Sequence, residues 1–222
     1  SLSRLDTIED SDTSEEQDDM ILLFCYGSNN KDQVAERIGR SELTMQKGSI
    51  EDYELIFGGF SENWNGAVAS IIEKKGEMVK GCYISLTDNE LNTMDSYESS
   101  YERQPITIKT ESGQEIQGET YFKFETEWVS PPSIEYLNAC YKTVQPFWED
   151  TTIVVKNNQS QRMGTFDATT NSYSEYKPSP AVEAVAAGDV NIESSSAEED
   201  DTDEDEDKAS PAVEAVAAGD VN

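Results

Sequence analysis

The chain of 222 residues carries 46 acidic and 16 basic side chains, a formal net charge of −30, and no histidine. This acidity argues against nucleic acid as a partner, because there is no basic stripe to neutralise phosphates. The absence of histidine excludes Ser-His-Asp and Cys-His nucleophile arrangements and disfavours a transition-metal site. Any acid–base chemistry would therefore fall to carboxylates, tyrosines, lysines or cysteines.

The acidic residues are concentrated at the two ends of the chain. Residues 21–165 carry 22 acidic and 13 basic side chains, and all three tryptophans lie there. We predict one globular domain over 21–165, with disordered acidic tails at 1–20 and 166–222 that lack the apolar surface needed to offset ordering entropy. The sequence SPAVEAVAAGDVN occurs twice, at 179–191 and 210–222, either as a docking element for an unknown protein or as a low-complexity duplication.

The sequence predicts neither a membrane span nor an export signal. No apolar run approaches the roughly 18 residues that span a bilayer, and the acidic start does not resemble a signal peptide, so no membrane partner is predicted. Cys25, Cys82 and Cys140 show no paired spacing. They indicate neither a disulfide framework nor a metal site, and they suit a reducing, cytoplasmic location.

The first predicted elements enclose a polar turn. The apolar run Met20–Tyr26 predicts a buried strand, and Lys31–Arg40 predicts a helix with Asn29 or Asn30 as its N-cap. Between them lies FCYGSNN, residues 24–30. Such a turn leaves backbone N–H groups free where a helix begins, so it can bind an anion, but it is equally an ordinary connector.

The remaining elements favour an α+β fold with a mixed, barrel-like sheet, because strands dominate and helices are interspersed without strict alternation. A KKGE turn separates two of the predicted strands, and a Thr-Asp-Asn-Glu capping box opens the second helix. The predicted strands are Tyr53–Gly58, Ala67–Glu73, Glu77–Leu86, Ile106–Thr110 and Glu115–Phe124, and the predicted helices start at Thr87 and at Ser130, the latter ending near Val144 with Ile134, Leu137, Tyr141 and Val144 as its apolar face.

Five segments, taken in order, resemble the γ-glutamylcyclotransferase family over about residues 21–147. They are FCYGSN, ENWNGAVASI, MVKGCYISL, LNTMDSYES and PPSIEYLNACYKTV. The resemblance implies a mixed α+β fold with a small barrel-like sheet, a small-molecule γ-glutamyl substrate, no cofactor and often a homodimer. It also implies an activity that cleaves γ-glutamyl amides and releases 5-oxoproline together with an amine or amino acid.

The resemblance also assigns roles to individual residues. Glu98 would be the general acid/base, although Asp95, Glu98 and Glu102 are spaced as on any solvated acidic helix face. The substrate contacts implied by the resemblance are the loop residues Tyr26, Gly27, Ser28 and Asn29, the residues Leu23, Phe24 and Cys25 that lead into it, and Tyr136 in the PPSxxY segment.

Two departures from the family pattern leave the leaving group open. Ser99 stands where a glycine commonly follows the family's Glu, and the pattern of Ser99, Tyr101 and Arg103 resembles the branch acting on γ-glutamylamines. The YGSN turn, in contrast, resembles the branch acting on γ-glutamyl amino acids. Arg103 could orient Glu98, contact a substrate carboxylate or form a surface ion pair. The alternatives to a cyclotransferase of γ-glutamyl amino acids or amines are a glutathione-specific relative and a non-catalytic binding module that docks through its acidic repeated tail.

Overall fold

Five strands close into a barrel in the computed structural model, which describes residues 19–179. The barrel strands are β1 (Met20–Cys25), β2 (Gln46–Ser61), β3 (Gly66–Thr87), β4 (Glu102–Thr110) and β5 (Glu115–Phe122). Their order around the barrel is β1-β3-β2-β4-β5. β1 pairs in parallel with β5, whereas the other neighbouring pairs are antiparallel. The predicted α+β fold with a mixed, barrel-like sheet is therefore confirmed.

Three helices and a second sheet complete the described residues. The helices are α1 (Lys31–Ile38), α2 (Asp88–Tyr97) and α3 (Ile134–Val144), and the antiparallel strands β6 (Thr152–Lys156), β7 (Arg162–Asp167) and β8 (Ser172–Glu175) form a separate three-stranded sheet. The predicted capping box is present, with Thr87 and Glu90 exchanging both hydrogen bonds at the start of α2. Among these three helices, none is long and apolar enough to cross a bilayer.

The KKGE segment does not separate two strands as predicted. β3 runs without interruption through it, because β2 pairs with β3 on both sides of an irregularity between Glu51 and Tyr53. Gly76 takes the left-handed conformation there (φ 87°), and its N–H donates to the Asp52 side chain at 2.9 Å. The left-handed conformation of Gly76 thus lets the long β2–β3 hairpin bend at this point while β3 continues.

β1 is buried on both of its faces, which explains its continuous apolar sequence. Phe24 and Tyr26 pack into one hydrophobic cluster with residues of β2, β3 and α3. Leu23 and Cys25 point the opposite way, into a second cluster that includes Val34 of α1. The turn that follows β1 therefore starts between the two clusters, and packing on both sides of β1 fixes its position.

The buried face of α3 differs from the predicted one. The helix begins after its N-cap Ser133, and Ile134 at its first position is 42% exposed. The buried residues are Tyr136, Leu137, Cys140 and Thr143. Only Leu137 of the predicted apolar face belongs to this set, and the rotation of the helix brings Tyr136 to the barrel.

The predicted end of the domain at residue 165 was too early. β7 continues to Asp167, β8 follows at Ser172–Glu175, and Phe166 is fully buried in the main core cluster. A compact unit ends only at Lys177. The predicted N-terminal tail up to residue 18 and nearly all of the repeated tail motif lie outside the described residues.

Glu54 links the second sheet to the barrel. Its side chain is only 5% exposed and accepts from Lys74 of β3 at 3.3 Å, from Lys156 of β6 at 2.5 Å and from the Ser160 hydroxyl. Burial acts to raise the pKa of Glu54, but the hydrogen bonds from Lys156 and Ser160 outweigh it and hold that pKa below its ordinary value.

We expect Glu54→Gln to lower the free energy of unfolding at pH 7 by about 2 kcal/mol, because it removes charge-assisted hydrogen bonds from a buried carboxylate. A lowered folded-state pKa stabilises above the unfolded-state pKa of about 4.3, and this contribution is lost as pH falls through the folded value. Denaturant titration at pH 7 and pH 3 measures both effects. Glu51→Gln on the same strand removes an exposed pair with Lys109 and should cost less than about 1 kcal/mol. Equal losses in the two variants would contradict the prediction.

Candidate active site

The turn at residues 26–30 is anchored by its neighbours and keeps its own N–H groups free. Asn30 is the N-cap of α1, and its side chain accepts from the Gln33 N–H at 3.0 Å. The Thr143 hydroxyl of α3 donates to the backbone oxygen of Gly27 at 2.6 Å. The N–H groups of residues 27, 28 and 29 make no hydrogen bond to any described residue. Three successive free donors at the start of a helix form a concave site for negative charge.

Glu98 is brought to this turn by the end of α2. It is the C-cap of that helix, and the chain then turns so that the Tyr101 N–H donates to the backbone oxygen of Glu98 at 2.9 Å. The Glu98 side chain is 12% exposed, and its Oε1 accepts from Asn29 Nδ2 at 3.0 Å. The fold thus brings the Glu98 carboxylate into hydrogen-bond contact with the turn that carries the free N–H groups, although 69 residues separate Glu98 from Asn29.

A narrow cleft with a cavity volume of about 30 Å³ lies between the turn and Glu98 and opens to solvent. Its walls are mainly aromatic and backbone groups, supplied by β1, β3, β5, α3 and the turns between elements. The lining residues are Phe24, Cys25, Tyr26, Gly27, Ser28, Asn29, Ala69, Glu98, Tyr101, Thr120, Tyr121 and Tyr136.

All but one of the predicted site residues line this cleft. The exception is Leu23, which is fully buried in the second core cluster and does not reach the cleft. Cys25 lies at the cleft, but its thiol belongs to that same second cluster, where it donates to the Leu23 backbone oxygen at 3.9 Å and lies opposite Cys82 of β3. The neighbouring Cys82 thiol, together with burial, raises the pKa of the Cys25 thiol well above its ordinary value, so Cys25 offers the cleft backbone groups and no thiolate.

Tyrosine hydroxyls hold the backbone on the far wall of the cleft. The Tyr101 hydroxyl donates to the backbone oxygen of Ala69 at 2.7 Å, and the Ala69 N–H donates to the Tyr136 hydroxyl at 2.8 Å. The Tyr26 hydroxyl donates to the backbone oxygen of Tyr121. Burial raises the pKa of Tyr26, Tyr101 and Tyr136, so these phenols stay neutral and act as fixed hydrogen-bonding groups.

Arg103 does not contact Glu98. Its guanidinium pairs with Asp95 of α2 at 3.1 Å and with Glu119 of β5 at 2.5 Å. Asp95 also accepts from the Tyr121 hydroxyl at 2.6 Å. Of the three roles considered for Arg103, the structure shows the ion pair. This pair connects the end of α2 to β5, which forms part of the cleft wall.

A second arginine was missed by sequence reasoning. Arg37 of α1 donates through Nη1 to Glu98 Oε1 at 2.7 Å and to Asn29 Oδ1 at 2.9 Å. The Gln33 amide is oriented so that its oxygen faces a donor and its nitrogen faces an acceptor. The Gln33 oxygen accepts from Arg37 Nη2 at 3.1 Å, and the Gln33 nitrogen donates to the Ser28 backbone oxygen. The helix that follows the turn therefore reaches back to hold both the turn and Glu98.

Comparison with known proteins identifies the same region of the chain. A family model described as gamma-glutamyl cyclotransferase, AIG2-like, matches residues 23–138. A Bos taurus protein named gamma-glutamylcyclotransferase is 29% identical over 133 residues, covering 56% of this chain and 70% of the relative. A Mus musculus protein of the same name is 27% identical over 129 residues, covering 54% of this chain and 68% of the relative.

A solved structure supports the fold over a longer stretch. The crystal structure of an uncharacterized Homo sapiens protein matches with a TM-score of 0.52 at 21% identity. The match covers 76% of this chain and 98% of that one. It therefore extends the shared fold beyond the residues matched by the family model.

Proposed function

The chain belongs to the gamma-glutamyl cyclotransferase, AIG2-like family, and on that premise we propose that it cleaves γ-glutamyl amides by intramolecular cyclisation. The products are 5-oxoproline and the released amine or amino acid. The observation that carries this proposal is the placement of the Glu98 carboxylate beside the free N–H groups of the turn, within one small cleft.

A γ-glutamyl group carries its own nucleophile. Its α-amine attacks the γ-carbonyl carbon, a carbon–nitrogen bond closes the five-membered ring, and the bond from that carbon to the leaving nitrogen breaks. A cleft that holds the glutamyl chain curled supplies the proximity for this attack, which is worth several kcal/mol of the barrier. The aromatic side chains of Tyr26, Tyr101 and Tyr136 line the cleft and offer the methylene groups of such a short chain apolar surface to pack against.

Glu98 moves the proton that the reaction requires. A free α-amine has a pKa of about 8, so most of it is protonated at neutral pH and cannot attack until a base removes the proton. Glu98 accepts a proton from the α-ammonium so that the amine can attack, and after attack it accepts the second proton that the same nitrogen must lose to become the lactam N–H. It passes both protons in turn to the departing nitrogen, so the released amine leaves as an ammonium and the carboxylate is regenerated. It is the sole carboxylate among the residues that line the cleft.

The backbone of the turn receives the negative charges of the substrate. The N–H groups of Gly27, Ser28 and Asn29 bind the α-carboxylate and stabilise the charge that develops on the γ-oxygen during attack. Because Thr143 and Asn30 fix the turn from outside, these donors need little reorganisation when the charge appears.

A substrate panel tests the proposal. We expect 5-oxoproline from γ-glutamyl-alanine or γ-glutamyl-lysine incubated with the full chain, measured by chromatography with time. The isomer α-glutamyl-alanine is the control, since its γ-carboxylate carries no leaving amine. Product from glutathione alone would assign the chain to the glutathione-specific alternative. No product from any γ-glutamyl compound would contradict the proposal and favour a binding module.

A further inference from the structure

The two oxygens of the Glu98 carboxylate have different surroundings. Oε1 accepts from Arg37 Nη1 at 2.7 Å and from Asn29 Nδ2 at 3.0 Å. Oε2 accepts no hydrogen bond from any described residue. Two donors on one oxygen fix the rotation of the carboxylate, and the second oxygen is left available to a bound molecule.

Arg37 lies behind the cleft wall. Its side chain is 14% exposed, its guanidinium packs over the Tyr97 ring at 4.9 Å from the centroid, and it does not line the cleft. It reaches the cleft only through Glu98 and Asn29, which both line it. A guanidinium in this place acts on the cleft through these two side chains, because its hydrogen bonds determine how they are oriented.

We propose that Arg37 is a positioning residue that holds Oε1 of Glu98, so that Oε2 is the oxygen that exchanges protons with the substrate. This proposal rests on the cyclotransferase function proposed above. Oε2 accepts each of the two protons that the α-nitrogen loses and donates it to the departing nitrogen, while Oε1 stays bound to Arg37 and Asn29. The carboxylate then needs no rotation between these proton transfers, because all of them use the same oxygen.

A neighbouring arginine provides a matched control. Arg40, just after α1, pairs with Glu90 of α2 at 2.9 Å between Nε and Oε2. Arg37 and Arg40 therefore both connect the region of α1 to α2, but only Arg37 contacts Glu98. A role limited to holding the two helices together would be shared by both arginines, whereas a role in orienting Glu98 belongs to Arg37 alone.

The experiment measures kcat and KM of the full chain on the γ-glutamyl substrate that it turns over best. We expect Arg37→Met to lower kcat about 10- to 100-fold, as the loss of a charge-assisted hydrogen bond predicts, with KM changed less than about threefold. Arg37→Lys should recover part of kcat, because an ammonium can still donate to Oε1. Arg40→Met should leave both constants near their wild-type values.

Several results would overturn the proposal. They are a kcat of Arg37→Met within about twofold of wild type, equal losses in the Arg37 and Arg40 variants, and a loss confined to KM. If circular dichroism shows that Arg37→Met does not fold, Arg37→Lys and Arg37→Gln are measured instead. A wild-type kcat in both of these variants would overturn the proposal. A wild-type chain that releases no 5-oxoproline refutes the proposed function itself, which separates that failure from a failure of the role of Arg37.

Discussion

Glu98→Gln should fold, with the free energy of unfolding lowered by no more than about 2 kcal/mol, and it should release 5-oxoproline about 10²- to 10⁴-fold more slowly, the range expected when a general base is removed. The glutamine side chain keeps the shape of the glutamate and an oxygen that can accept from Arg37 and Asn29. It has no carboxylate to take the proton of the α-amine, so kcat falls. Single-turnover measurement of 5-oxoproline with the purified full chain checks this result.

Glu102→Gln is the control for that experiment. Glu102 belongs to the same acidic group in the sequence, but it is exposed at the start of β4 and does not line the cleft. Its replacement should leave turnover within about twofold of wild type. If Glu98→Gln retains the wild-type rate in a preparation free of contaminating enzyme, Glu98 is not the base, and another group must move the proton.

The family resemblance placed the residues of the turn in the site before the structure was considered. Phe24 through Asn29 form one continuous segment, so recognising that segment identified six cleft residues at once. Glu98 and Tyr136 were placed by the same resemblance, and the fold brings both to that cleft. Leu23 does not reach the cleft because side chains alternate along β1, so the Leu23 side chain points into the second core cluster.

The opposite wall of the cleft depends on strand register, which the sequence does not determine. Ala69 faces the cleft because β3 pairs with β2 in one particular register, and Thr120 and Tyr121 do so because β5 lies beside β1. Arg37 was missed for a related reason. Its contact with Glu98 requires that α1 and α2 pack side by side, which helix periodicity within α1 cannot show.

Two incorrect predictions have the same physical origin. In α3, the prediction counted strongly apolar side chains, whereas the buried face includes Thr143, whose hydroxyl bonds Gly27. From residue 166 onward, at the end of β7 and in β8, mostly polar residues suggested a tail, yet strand pairing and the buried side chain of Phe166 attach this segment to the domain. Backbone hydrogen bonds and small polar groups hold these elements in place, and a prediction based on apolar residues alone does not count their contribution.

Gly113→Ala is the control for a second substitution, Gly27→Ala, which lies in the turn that lines the cleft. Gly113, at the tip of the β4–β5 hairpin, has φ of 86° and no neighbour within 4 Å of an added Cβ. Alanine there should lower the free energy of unfolding by about 1 kcal/mol through backbone strain, and turnover should not change because the hairpin tip is not part of the cleft.

Gly27→Ala should give the opposite result, with stability within about 0.5 kcal/mol of wild type and kcat/KM for the γ-glutamyl substrate lowered at least about tenfold. A Cβ at Gly27 would lie 3.5 Å from Ala69 Cβ and 3.5 Å from the Tyr136 hydroxyl, ordinary contacts that the folded chain tolerates. The same methyl group occupies the cleft where the glutamyl chain must curl, and it displaces the substrate from the free N–H groups of the turn. Denaturant titration and steady-state kinetics on both glycine variants measure the two effects separately. Wild-type turnover in Gly27→Ala would mean that the substrate does not lie against this turn, and the site would have to be sought elsewhere in the barrel.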